Sequence, residues 1–89
     1  MARMDFGQAD MALMAEEKPN AMDLFDLGIV CASGDDDEID LISAHKWFNL
    51  AALAGNDEAA LHRQSVAVEM SPADIAAAQR TAREWLTTH

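Results

Sequence analysis

A thiol at Cys31, imidazoles at His45 and His62, and the acidic run Asp35-Asp36-Asp37-Glu38 followed by Asp40 are the side chains here best suited to chemistry. A cysteine beside a histidine could act as a nucleophile. Cys31, however, lies inside the most apolar stretch of the chain, where a thiol behaves as a small hydrophobe with a raised pKa. His45 and His62 are too far apart in sequence to form a metal pair on one helix, and each is expected on the polar face of its segment. The acidic run lacks the glycine at the sixth position and the glutamate at the twelfth that a calcium loop needs, so it reads as a solvated loop. Glu58, one turn before His62, is expected to make a surface pair worth ~0.3–0.5 kcal/mol. With no acid/base pair, Gly-rich phosphate loop or metal cluster, no catalysis, cofactor, metal or small-molecule substrate is expected.

The elements that position these groups follow from composition. A chain of 89 residues makes one small domain, which buries only about 60% of the surface its unfolded form exposes. Apolar residues are plentiful, Gly and Pro are scarce, and Ala, Leu and Met outweigh β-branched residues, a balance that predicts an all-α fold of about four helices. No apolar run approaches the ~20 residues that cross a bilayer. The N-terminus lacks the apolar core of a signal peptide, and the single cysteine cannot form an internal disulfide. A cytoplasmic protein is expected.

Residues 1 to 20 read as a Met-rich arm, with Met4, Met11, Leu13 and Met14, ended by Pro19-Asn20. Ala21 to Ser33 is apolar on most sides, so a helix there must be covered on most sides, and Gly34 stops it. Asp40 is positioned to cap a helix to Ala54, with Leu41, Ala44, Trp47, Phe48, Ala51 and Ala54 on one face and His45, Lys46 and Asn49 pointing away. Gly55-Asn56 closes that helix and can cap the next, Asp57 to Met70, which is amphipathic. Ser71-Pro72-Ala73-Asp74 starts a fourth helix whose stripe is Ile75, Ala78, Ala82, Trp85 and Leu86. Both tryptophans fall on core stripes.

The net charge is -10, and residues 1 to 40 hold eleven acidic and two basic side chains against five and four in the remainder. Such a field repels nucleic acid and anionic membranes and attracts a basic surface.

In this order the residues resemble the Sel-one-like repeat, a relative of the tetratricopeptide repeat. Leu27-Gly28, Gly34, Asp40, Ala44, Trp47-Phe48, Ala51-Ala52, Gly55-Asn56 and Ala59 match its pattern. Cys31 departs from it, standing where the family usually has an aromatic residue, and Asp36-Asp37 replaces a Gly-Val pair. The small residues allow close helix approach, with Trp47 expected to fill the gap beside them. The resemblance implies one antiparallel unit over residues 21–56, a capping helix pair over 57–89, and a short α/α superhelix. It further implies an adaptor whose concave side holds a protein or peptide.

One repeat is short of the usual three, so two chains are expected to associate, or Met11 to Met14 to cover an open end. Ile42 and Leu53 share a helix face with Lys46 and Asn49 although they are apolar, as a docking patch would. These four, with Asp35, Asp36 and Asp37 adding orientation and on-rate, are the expected partner-binding residues. The alternative is an acidic regulator that occupies a partner's basic surface.

Overall fold

A computed structural model describes residues 19–34 and 38–88, and each of the four helices there is bounded by local chemistry. Helix α1 spans Ala21–Ser33; the Asn20 side chain caps it by accepting from the Asp23 amide at 2.8 Å. It ends at Gly34, whose φ of 66° lets its amide donate to the Val30 carbonyl. Helix α2 spans Leu41–Leu53 and is capped by Asp40, which accepts from the Ser43 amide at 3.0 Å and the Ser43 hydroxyl at 2.8 Å. Those bonds hold the Asp40 carboxyl below the usual carboxylate range.

Gly55 and Asn56 then do the two jobs expected of them. The Gly55 amide donates to Ala52 O and the Asn56 amide to Ala51 O, a Schellman closure with Gly55 at φ 110°. The Asn56 side chain accepts from the Ala59 amide and so starts α3, Asp57–Ala67. This helix stops a turn before Met70. The amides of Glu69 and Met70 reach back only three residues, to Val66 and Ala67, as the chain tightens ahead of Pro72. Ser71 Oγ accepts from the Asp74 amide at the head of α4, Pro72–Thr88.

The fold is all-α, and no strand occurs among the described residues. Helix α2 is its centre, packing against α1, α3 and α4. Helices α1 and α3 run antiparallel to it: the Asp40 amide bonds Cys31 O at one end of the α1–α2 pair, while Leu24 lines one hollow with Leu50 and Leu53 at the other. Helix α4 runs beside α2 in the same direction, with Asp74 near Ile42 and Trp85 near Leu50. Helices α3 and α4, grouped in sequence as one capping pair, each approach α2 more closely than one another.

Phe48 sits at the middle of the core, fully buried. A Cβ built on Gly28 would lie 2.5 Å from its ring, so the glycine exists to let the two helices close on that phenyl group. The gap expected for Trp47 is thus filled by its neighbour. Trp47 instead meets Trp85 of α4 edge to face, centroids 6.0 Å apart, and Lys46 lies 4.0 Å over its ring. Leu50, outside the expected stripe, is buried, while Ala54 ends the helix exposed.

Gly28→Ala should cost about 1–3 kcal/mol in denaturant unfolding despite alanine's better helix propensity, because the added methyl overlaps the Phe48 ring. Combining it with Phe48→Leu should recover part of the Gly28→Ala loss, giving a non-additive double-mutant cycle.

Candidate protein-binding surface

Of the residues expected to contact a partner, Asp35, Asp36 and Asp37 lie outside the described residues, as do Met11 and Met14. The other four do not form one free face. The Asn49 side chain accepts from Arg63 Nη1 of α3 at 2.6 Å, and Ile42 is half-buried at the edge of a groove shared with Asp74 of α4. Lys46 is half-buried against Trp47, and only Leu53 stands well exposed, at 66%. The cover is intramolecular: α3 and α4 occupy flanks of α2 that a single-stripe reading leaves to solvent.

The histidines also depart from expectation. His45 is buried, with 3% of its surface exposed, and its Nδ1 makes no hydrogen bond. Burial, and after it the positive Arg63, push its pKa down. His62 is half-buried with its ring against two phenyl groups, 5.0 Å from Phe25 and 5.3 Å from Phe48. Its Nδ1 lies 3.1 Å from the Glu58 carbonyl oxygen, so the bond runs to the backbone and not to the Glu58 carboxylate. Cys31 is half-buried; burial, and then the Asp40 carboxylate, raise its pKa, which keeps the thiol protonated and a poor nucleophile. Among the described residues no group of three or more His, Cys, Asp or Glu is placed to hold a metal ion. No described helix is long and apolar enough to cross a membrane.

Large apolar side chains are exposed at Ile39, Leu53, Leu61, Val68 and Leu86, and four more are gathered on the single helix α1. This helix packs closely against α2 alone, with Leu24 and Gly28 buried. Met22 and Val30 remain 59% and 52% exposed, and Leu27 and Ile29 are also uncovered. Met22, Asp26, Val30 and Ser33 follow one another at steps of four, four and three, and Ile29 lies three after Asp26 and four before Ser33, so the five share the outward side. Sequence periodicity demanded cover on most sides of this helix, and the described residues supply it on one.

Beside that flank runs a groove between the end of α1, the start of α2 and α3. Ala32, Ile39, Leu41, Phe48 and Val66 form its apolar floor, and His62, Ser65 and Glu69 its polar side. A second apolar hollow lies at the opposite end, where Pro19, Leu24, Leu50 and Leu53 meet Trp85 and Leu86. No family model matches the chain, and neither a curated protein nor a solved structure does so.

The pH dependence of stability should report His45. Its folded pKa is lowered, so the unfolded chain takes up the proton first; stability is complete above the ordinary value of 6.5 and falls as the pH drops through it toward the folded value. Asp40, also lowered, loses its contribution only below the ordinary carboxylate value of 3.8. Urea unfolding followed between about pH 7.5 and 5 should show a decline that His45→Leu flattens.

Proposed function

We propose that this chain is a protein-binding module of the Sel-one-like repeat type, a cytoplasmic adaptor or regulator that works without catalysis. The observation that carries this reading is the outward side of α1, where Met22, Ile29 and Val30 stand exposed along one helix of 13 residues. In a stack of helix pairs that side is where a neighbouring helix packs, and its apolar contact is what makes a lone unit costly to leave uncovered. The groove beside it, with Ile39 and Leu41 on its floor, extends the surface toward α3. A protein or peptide partner, or a second copy of the chain, fits such a surface; nucleic acid and anionic membranes do not fit a net charge of -10.

The alternative of an acidic mimic gains less support. Asp40, the described end of the acidic run, spends its carboxylate on Ser43 as a helix cap and so has a structural role of its own. Charge is better assigned to steering an apolar contact than to replacing it.

Affinity capture from the cells that express the chain, with Met22→Ser/Val30→Ser beside the wild type, tests the reading. Both positions are exposed, so the variant should keep its helical circular dichroism. Recovery of the specific partner should drop about tenfold or more. Equal recovery with the two proteins would refute the surface, and absence of any saturable partner would refute the function.

A further inference from the structure

Resting on that reading, we propose that the outward side of α1 receives an amphipathic helix of cationic character from a partner protein. The argument begins with charge. From Asn20 to Gly34 there are two acids, Asp23 and Asp26, and no lysine or arginine. Asp23 has a local reason to be acidic, since it lies in the first turn of α1, where the helix dipole favours a negative group. Asp26 has none; it lies past that turn and on the outward side with Met22, Ile29, Val30 and Ser33.

A carboxylate set among exposed apolar side chains selects the partner's shape and sign together. The apolar rows demand a surface with apolar residues at helical spacing, and Asp23 and Asp26 demand Lys or Arg beside them. A helix presents both at once, and α1 offers a seat of about 20 Å, which matches a partner segment of about 14 residues.

The other occupants fit less well. A second copy laid symmetrically on this side would set Asp23 and Asp26 against the same residues, between two chains each of net charge -10. The chain's own residues 1–18 carry Asp5, Asp10, Glu16 and Glu17 against Arg3 and Lys18, the wrong sign for the seat.

The test uses the full chain and three fluorescent synthetic peptides of about 18 residues. One has a Leu/Ala stripe flanked by Lys, one the same stripe flanked by Glu, and one the Lys composition scrambled so that no stripe forms. Anisotropy should show the Lys-flanked helix binding about tenfold tighter than either other peptide. Met22→Ser/Val30→Ser should weaken that binding about tenfold, and Asp23→Asn/Asp26→Asn should abolish the preference for Lys over Glu.

Equal binding of the scrambled peptide would reduce the effect to net charge and overturn the proposal, as would equal binding of the Glu peptide or indifference to both variants. Sedimentation showing a dimer that Met22→Ser/Val30→Ser dissolves would assign the seat to a second copy. Peptide binding only after removal of residues 1–18 would assign it to the chain itself. Either result also overturns it. If all three peptides fail while affinity capture still depends on Met22 and Val30, the partner's chemistry is wrong and the binding module stands; if capture fails too, both fall.

Discussion

The phenyl ring of Phe48 lies against Gly28, and the arrangement of three helices depends on that contact. A ring seated on bare backbone brings α1 and α2 closer than any side chain at Gly28 would allow. The same ring meets Phe25 of α1 at 5.7 Å and His62 of α3 at 5.3 Å, so one residue fixes the spacing of its own helix to two others. Burying a Phe side chain is worth about 1.5–3 kcal/mol from its area alone, a large share of what a domain of this size retains. Ala44, Ala51 and Ala59 extend the close approach along α2 and α3. Among the described residues few large side chains are buried, so the fold there relies on proximity of backbones more than on bulk.

Close approach also explains the economy of the turns. The Cys31 carbonyl near the end of α1 accepts from the Asp40 amide at the start of α2, so one hydrogen bond ties the two helices together at that end. Asn56 satisfies the end of α2 through its amide and the start of α3 through its side chain. The turns thus hold the helix ends together while the Phe48 contact sets the spacing between α1, α2 and α3.

Features with local causes were legible in the sequence. Asp40, Asn56 and Ser71 act as the caps their side chains suggested, Gly34 and Gly55 take the positive φ that reverses the chain, and α1 has the bounds its apolar run predicted. Features with tertiary causes were not. A 3.6-residue period identifies one buried stripe, whereas α2 is packed on three sides, so the supposedly outward His45, Lys46 and Asn49 are buried or half-buried. The Arg63–Asn49 bond joins residues of adjacent helices, and nothing in the local pattern of either marks it. The apolar run of α1 was likewise legible, but which of its sides stays uncovered depends on how the other helices pack.

That excess has a physical consequence for how the fold is used. A central helix must be apolar on several sides, and α2 is; a helix at the edge of the stack needs only one apolar side, and α1 has more than one. Selection for stability alone would replace Met22 and Val30 with polar residues, since neither is held by the core. Asp26 sets a carboxylate among them, so a like face laid symmetrically on this side would meet the same charge. On the proposed reading, the uncovered side of α1 is the surface through which a complementary partner would complete the short stack.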